Sequence, residues 1–273
     1  PANMDELPFV YGHLEDFSHK IIYYESSRGC PFRCSYCLSS VEKTLRFRDV
    51  ERVKKELAFF LEQKVAQVKF VDRTFNCRHE HAMEIWKFLI EHDNGVTNFH
   101  FEISADLLTD EEIALIGQMR PGLIQLEIGV QSTNDVTIQE IHRTMDLEKL
   151  KAVVRRIQAP GNIHQHLDLI AGLPLENLQR FSKSFDDVFR LYPKELQLGF
   201  LKLLRGTSLR KEANKYGYIY EKHAPYELIE SHDLSKEDIE KRHLAEDMLQ
   251  KYWNSGRMPI TMNKVLRQCK SPF

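Results

Sequence analysis

Ile21-Ile22-Tyr23-Tyr24-Glu25 is followed, after Ser26, by Ser27-Arg28-Gly29-Cys30-Pro31-Phe32-Arg33-Cys34-Ser35-Tyr36-Cys37. The first segment is rich in β-formers and predicts a strand that leads directly into a cysteine-rich loop. Three of the five cysteines, Cys30, Cys34 and Cys37, lie in this loop. Because a compact loop can turn three thiolates toward one centre, the pattern predicts a metal site.

Two kinds of metal fit this loop, and a third interpretation needs no metal. A structural zinc ion needs a fourth ligand to close a tetrahedron. The candidates for that ligand, none at ordinary zinc-finger spacing, are His19, Cys77, His79 and His81. A [4Fe-4S] cluster held by three cysteines would instead leave one iron open to a group that is not protein. Three unrelated thiols are disfavoured because they are so closely spaced after a strand.

The rest of the chain alternates between predicted strands and helices. The six predicted strands are Ile21–Glu25, Val68–Asp72, Phe99–Ile103, Leu123–Gly129, His166–Ile170 and Leu196–Leu201. Helical periodicity follows each of them, and Thr109 with Glu112 forms a capping box at one helix start. Six successive strand–helix units imply parallel pairing with right-handed crossovers.

Polar residues distinguish an open sheet from a barrel. Asp72, Glu102, Gln131 and Asp168 lie at or just beyond the carboxyl parts of four different strands. A barrel-like curve brings such ends around one mouth, whereas an open sheet scatters them. We therefore expect an α/β fold, a partial (β/α)6 TIM-like barrel of parallel strands with a helical C-terminal extension.

The pattern changes after about Gly217, which suggests three parts. Residues 1–20 form a lead-in, residues 21–216 the barrel, and residues 217–273 the extension, in which Ser235 caps a helix running to about Trp253. The chain begins with Pro1 and not with Met, so we expect it to be a fragment of a longer protein.

Composition excludes several classes of protein. Of 273 residues, 42% are hydrophobic and 29% charged, as in ordinary globular chains, which rules out disordered and fibrous proteins. The 38 Lys and Arg nearly balance the 40 Asp and Glu, so bulk charge indicates neither nucleic acid nor a membrane surface. No apolar run is long enough to span a bilayer. An odd number of cysteines argues against a disulfide framework and for a reducing, cytoplasmic setting.

The motif Cys30-x3-Cys34-x2-Cys37, with Tyr36 just before the last cysteine and a strand before the first, resembles the cluster-binding loop of radical S-adenosylmethionine (SAM) enzymes. The resemblance covers about residues 21–207 and implies a partial (β/α)6 barrel. It also implies that the three cysteines hold a [4Fe-4S] cluster whose open iron chelates the amino and carboxylate groups of SAM, with Tyr36 near the adenine.

Four further residues match the oxygen-independent coproporphyrinogen oxidase group of that family. Glu102 resembles its third-strand acidic residue, and Gln131 ends a similar Gly-Val-Gln segment. Arg143 lies twelve residues later, and Asp168 begins a similar Asp-Leu-Ile-x-Gly-Leu-Pro motif. The resemblance implies that all four contact SAM. Taken singly, the two acids could only pair with cations, Gln131 could be a turn residue, and Arg143 could be a helix-end cation.

A narrower resemblance links the chain to cobalamin (B12)-binding-type radical SAM proteins with an uncharacterised C-terminal extension. It is carried by Tyr23–Cys30, Asp72–Asn76, Gln131-Ser132 and Gly199–Leu204. In that group a cobalamin domain precedes the barrel, so the resemblance implies cobalamin held by a domain outside this chain.

Together the resemblances imply an enzyme that reductively cleaves SAM to methionine and a 5′-deoxyadenosyl radical. That radical would abstract hydrogen from a substrate, or, with cobalamin, the enzyme would transfer a methyl group. A low-potential electron donor of the flavodoxin or ferredoxin type is implied as a partner, and the substrate is not indicated. Two alternatives stay open: an iron–sulfur electron-transfer or SAM-binding regulatory module, and a zinc-stabilised binding barrel. The sequence leaves the roles of Cys77, His79, His81 and Lys202 undecided.

Overall fold

The computed structural model describes residues 3–12, 14, 17, 20–42 and 44–273. Pro1 and His19, both used in the sequence-based predictions, lie outside the described residues. The strands are, in chain order, β1 (Ile22–Tyr24), β2 (Ser27–Arg28), β3 (Arg46–Phe47), β4 (Gln67–Phe70), β5 (Asn98–Ile103), β6 (Ile124–Gln131), β7 (His164–Ala171), β8 (Glu195–Phe200), β9 (Ile219–Tyr220) and β10 (Leu228–Glu230). The α-helices are α1 (Val50–Glu62), α2 (His79–Glu91), α3 (Asp110–Ile116), α4 (Asp135–Glu140), α5 (Leu147–Gln158), α6 (Leu178–Phe189), α7 (Ser208–Lys211), α8 (Lys236–Met248) and α9 (Pro259–Gln268).

Six strands form one sheet in the order β1-β4-β5-β6-β7-β8. These are the six strands expected from the sequence, and helices lie between them along the chain. The pairs β1–β4, β4–β5, β5–β6 and β7–β8 are all parallel. The predicted α/β class with consecutive parallel strands is therefore confirmed. No helix in the described part of the chain is both long and apolar enough to cross a membrane.

The chain divides into two compact units. The first comprises the described residues up to Pro31 together with Glu42–Ile128 and Glu148–Gln165. Its core is aromatic: the ring of Phe75 lies 4.3 Å from that of Phe101 and 5.5 Å from that of Trp86, centroid to centroid. These rings are fully buried, and packed aromatic pairs of this kind stabilise a core beyond the effect of area alone.

The second unit comprises Phe32–Val41, Gly129–Leu147 and His166–Phe273. Its core joins the end of the parallel sheet to the extension. The buried members of this core are Ile138, Ile141, Leu173, Leu201, Leu203, Leu209, Ala213, Tyr216, Tyr218, Leu228, Leu234 and Ile239. The predicted boundary between residues 216 and 217 therefore falls inside a shared hydrophobic cluster, and the domain assignment stays a prediction.

Helix starts follow their capping residues closely. Thr109 forms the predicted capping box at α3, and Ser235, predicted to cap its helix, forms a capping box with Asp238 at α8. The α-helical part of α8 ends at Met248 and continues as a π-helical segment, Leu249–Asn254. The two-residue strands β2, β3 and β9 were not expected, because elements of two residues carry no periodicity that a sequence pattern can detect. The terminal helix α9 was not predicted either.

Candidate functional site

Cys30, in the first unit, lies two residues beyond β2. Its sulfur is 3.5 Å from the Thr74 hydroxyl. The preceding residue, Gly29, has φ +102°, and a Cβ there would lie 2.5 Å from the carbonyl oxygen of Thr44. Only glycine adopts this backbone without strain, so Gly29 permits the close approach of two chain segments immediately before the first cysteine.

Asp72 anchors the strand that leads into Cys30. It is fully buried and accepts hydrogen bonds from the Ser26 amide (2.9 Å), the Ser26 hydroxyl (2.6 Å) and the Ser27 hydroxyl (2.6 Å). Burial raises the pKa of Asp72 to about 6, although these hydrogen bonds act in the opposite direction. Ser26 also contacts His81, whose Nε2 lies 3.1 Å from the hydroxyl. Asp72 was expected among the polar groups at the strand ends, and here it holds the start of the cysteine loop in place.

A second polar group lies on one face of β4, β5 and β6 in the first unit. The Lys69 ammonium and His100 Nε2 each lie 2.9 Å from the same oxygen of Glu127, and Gln125 bonds to His100 Nδ1 at 2.8 Å. Burial opposes ionisation of Glu127, but the adjacent His100 ring and the hydrogen bond from Lys69 lower its pKa. In a parallel sheet both faces of the strands are commonly apolar, so a polar face of this kind indicates a surface that binds a ligand.

Glu102 lies on this polar face, opposite Glu127 in the β5–β6 register. Burial, followed by the charge of Glu127, raises the pKa of Glu102 to about 7. No hydrogen bond to its carboxylate comes from any described residue. A half-buried carboxylate without a hydrogen-bond donor from the described residues is suited to accept hydrogen bonds from a polar or cationic ligand.

The other candidate ligands of the first unit have local partners. His79 Nδ1 lies 3.1 Å from Glu112, and His81 is committed to Ser26. Burial, with the nearby Cys30, raises the pKa of the Cys77 thiol to about 11. Within the residues that the structure describes, no three His, Cys, Asp or Glu side chains are grouped to hold a single metal ion.

In the second unit, Cys34 lies beside Arg143. The sulfur is buried, and the Arg143 guanidinium donates to it at 3.8 Å while donating to the Gly129 carbonyl at 2.5 Å. Burial raises the pKa of the Cys34 thiol, and the charge of Arg143 acts against that rise. The arginine is therefore positioned to stabilise a thiolate, which is the metal-binding form of cysteine.

Gln131 ends β6 in a left-handed conformation, with φ +73°. Its side chain folds over Gly129, where an added Cβ would lie 2.4 Å from the side-chain nitrogen, Nε2, of Gln131. The side-chain oxygen is buried and accepts no hydrogen bond from any described residue. An unmatched buried acceptor next to Arg143 fits a ligand that brings its own donors, such as the amino and hydroxyl groups of SAM.

The two remaining predicted SAM contacts also lie in the second unit. Tyr36 packs against the hydrophobic cluster of this unit, and burial raises its pKa. Asp168 pairs with His166, whose Nε2 lies 3.1 Å from the carboxylate. This histidine lies two residues before Asp168 on the same strand, β7.

The peptide backbone at Ser35 fixes the cysteine loop within the second unit. The Ser35 amide donates to the Ile141 carbonyl at 2.8 Å, and the Ser35 carbonyl accepts from the Leu209 amide at 3.0 Å and the Ser208 hydroxyl at 3.2 Å. Backbone groups of Ser35 carry no residue-type signal, so the sequence could not reveal these bonds. The polar alternation of Gln125 and Glu127 in β6 was readable and was missed.

Comparisons with known proteins identify the class of this protein. The model of the radical SAM superfamily matches residues 24–188, more than half of the chain. The chain belongs to the radical SAM superfamily. The [4Fe-4S] cluster and SAM predicted as its cofactors are those of this superfamily. A second family model, described as a protein of unknown function (DUF4080), matches residues 214–273, close to the predicted extension.

Among curated proteins, the chain is 28% identical over 166 residues to 2-(S-pantetheinyl)-carbapenam-3-carboxylate methyltransferase of Streptantibioticus cattleyicolor. It is 27% identical over 166 residues to the cobalamin-dependent radical SAM methyltransferase TokK of Streptomyces tokunonensis. Each match covers 58% of this chain and 24% of the relative. The chain thus spans about a quarter of the length of these relatives.

Among solved structures, the methyltransferase TsrM of Kitasatospora setae, with cobalamin and a [4Fe-4S] cluster bound, superposes with a TM-score of 0.64 at 15% identity. That match covers 76% of this chain and 43% of TsrM. The coproporphyrinogen III oxidase HemN of Escherichia coli superposes with a TM-score of 0.57 at 18% identity, covering 84% of this chain and 52% of HemN. These likenesses confirm the partial-barrel fold class.

Proposed function

We propose that this chain is the catalytic core of a radical SAM enzyme in which Cys30, Cys34 and Cys37 hold a [4Fe-4S] cluster. The observation that supports this most directly is the pairing of the buried Cys34 sulfur with Arg143. A cation fixed beside a buried thiol favours the thiolate that a cluster requires. The chemistry of the donors also supports the cluster, because three cysteines lie within eight residues of sequence and would leave a fourth iron position for a non-protein group.

We propose that Tyr36, Glu102, Gln131, Arg143 and Asp168 contact SAM. The carboxylates suit the amino group, the ribose diol and the sulfonium, and the unmatched oxygen of Gln131 supplies a further acceptor. Arg143, already fixed by the Gly129 carbonyl, would hold the SAM carboxylate. A [4Fe-4S] cluster held by these cysteines would supply the electron for reductive cleavage of SAM to methionine and a 5′-deoxyadenosyl radical.

The outcome on substrate is a second part of the proposal. The names of the relatives support methyl transfer with cobalamin, and hydrogen abstraction is the alternative. Cobalamin would be held outside this chain. A low-potential donor of the flavodoxin or ferredoxin type would supply electrons, and the cytoplasm would be the reducing compartment that five free cysteines suit.

The test is anaerobic reconstitution with iron and sulfide, followed by incubation with SAM and dithionite. We expect about four irons per chain, a broad visible absorption and release of 5′-deoxyadenosine. One zinc per chain without product would support the zinc-stabilised barrel instead. A cluster that leaves SAM intact would support the electron-transfer or regulatory module.

A pair of cysteine variants tests the ligand assignment. Cys34→Ala should abolish cluster absorption while leaving the far-UV circular dichroism spectrum unchanged. Cys269→Ala is the matched control, because Cys269 is exposed and lies outside the loop. A fully loaded cluster in Cys34→Ala would show that the ligands are misassigned.

A further inference from the structure

Two arginines in the second unit share one tyrosine ring. The guanidinium carbon of Arg210 lies 4.7 Å from the ring centroid of Tyr226 and 5.1 Å from that of Tyr220. The guanidinium carbon of Arg205 lies 5.4 Å from the same Tyr226 ring. Cation–π contacts of this length hold the planar groups in fixed orientations. The cluster follows the end of β8, where the loops of parallel α/β folds carry their functional residues.

Hydrogen bonds to the backbone hold Arg210 and Tyr226 in place. Arg210 donates from its guanidinium to the Leu203 carbonyl at 2.6 Å, and the Leu203 amide donates to the Tyr226 carbonyl at 2.9 Å. Tyr226 has φ +61°, a left-handed conformation that is uncommon for a bulky residue. Local strain of this kind persists where the surroundings determine it fully and is common at ligand sites.

The positive charge of this cluster is not balanced within it. Arg205, Arg210 and the exposed Lys202 form no ion pair with any residue in the described part of the chain. The nearby acid Glu227 is bonded instead to His243, at 3.1 Å from its Nε2. Two guanidinium groups held against one ring without a carboxylate form a ready site for an oxyanion, because guanidinium binds carboxylate and phosphate through paired hydrogen bonds.

The cluster is connected to the cysteine loop. Arg210 lies on α7, and the neighbouring residues Leu209 and Ser208 both donate to the Ser35 carbonyl. We propose that Arg205 and Arg210, with Lys202, bind an oxyanion group, carboxylate or phosphate, of the substrate. The identification of this ligand as the substrate rests on the proposed function. The aromatic and cationic side chains of this cluster would thus anchor a substrate beside the loop that carries Cys34 and Cys37.

Isothermal titration calorimetry of the purified protein tests this site, with pyrophosphate and the tricarboxylate tricarballylate as separate probes. We expect at least one probe to bind, and its identity distinguishes a phosphate from a carboxylate site. Arg210→Gln and Arg205→Gln should each weaken binding about tenfold. Arg205→Gln is the safer variant, because Arg205 is exposed and makes no hydrogen bond that the fold needs.

Lys211→Gln is the matched control, since it removes the same charge from the next position of α7 but lies outside the tyrosine stack. Its affinity for the probe should match that of the wild type. Binding of neither probe, an unchanged affinity in both arginine variants, or an equal loss in Lys211→Gln would each overturn the proposal. The measurement needs neither cluster nor SAM. A failure here therefore differs from a failure of SAM cleavage.

Discussion

Gly29 is the residue whose backbone most directly controls the approach to Cys30. Gly29→Ala would place a methyl group against the Thr44 carbonyl at a φ that only glycine adopts freely. We expect the variant to lose about 1–3 kcal/mol of unfolding free energy, measured by urea denaturation. Gly12→Ala is the control, because a Cβ at Gly12 meets nothing within 4 Å. Equal stability of the two variants would contradict this account of Gly29.

Gln131 offers a residue-level test of the SAM contacts. Gln131→Leu removes the unmatched buried oxygen and keeps a side chain of similar size. If SAM bonds to that oxygen, the variant should bind SAM about tenfold more weakly, measured by equilibrium dialysis with the reconstituted protein. Gln118→Leu is the control, because the Gln118 side chain donates only to the Ala114 carbonyl at the end of α3. This variant should bind SAM as the wild type does. If Gln131→Leu binds SAM as tightly as the wild type, Gln131 does not contact SAM.

The cysteine motif could be predicted because its residues are close along the chain, so spacing alone carried the signal. The geometry around it could not. Arg143 reaches Cys34 across 109 positions, and Asp72 bonds to Ser26 across 46. Such pairs depend on how distant elements pack, which a single sequence does not record. The resemblance to a known family named Arg143, but the Gly129 carbonyl that fixes it came only from the structure.

At the scale of elements, Glu176 links three parts of the second unit. Its buried carboxylate accepts from Ser132, which follows β6, at 2.6 Å and from Ser184 on α6 at 3.0 Å. Burial raises the pKa of Glu176 to about 7, despite these two hydrogen bonds. Because the folded state holds this proton more tightly than the unfolded state, the group favours folding at low pH, and its contribution is lost as pH rises toward 7 and beyond.

The unfolding free energy should therefore fall, through this group, by on the order of 2 kcal/mol between about pH 5 and about pH 8. Glu176→Gln keeps an acceptor for both serines and cannot ionise, so its pH profile should be flatter over that range. Urea denaturation at several pH values measures the difference. Glu240→Gln, at an exposed position of α8, serves as the control and should retain the wild-type profile. A variant profile as steep as that of the wild type would assign the slope to other groups.

The main elements were predictable because each carries its own periodicity or cap. All six sheet strands and the starts of α3 and α8 follow directly from such patterns. The hairpin of β9 and β10 was not predicted, because its pairing is set by contacts with the chain after β8. The Leu228 amide, for example, donates to the Leu201 carbonyl at 2.9 Å.

At the scale of the molecule, the extension shares its core with the end of the parallel sheet. Tyr218, Leu228, Leu234 and Ile239 are buried together with side chains from α4 and from the chain after β8. Burial of each large apolar side chain contributes about 1.5–3 kcal/mol, and whole domains are stable by only about 5–15 kcal/mol. Removing residues 218–273 should therefore abolish cooperative thermal unfolding of the remaining chain.

A shorter truncation provides the comparison. Residues 257–273 include α9, which buries none of its side chains. Their removal should leave a cooperative transition measured by circular dichroism. If the longer truncation also unfolds cooperatively at the wild-type temperature, the extension is an independent module, and the shared cluster contributes little.

The hairpin that carries Tyr226 also bears on how specificity could be changed between related proteins. Its aromatic ring comes from the extension, whereas both arginines come from the segment that ends the sheet, so neither part holds the recognition chemistry alone. A chimaera that exchanges only the extension, or only the segment after β8, would contain either the tyrosine or the arginines of the proposed anion site, but not both. Transplanting a substrate preference would therefore require residues 202–228 to move as one block.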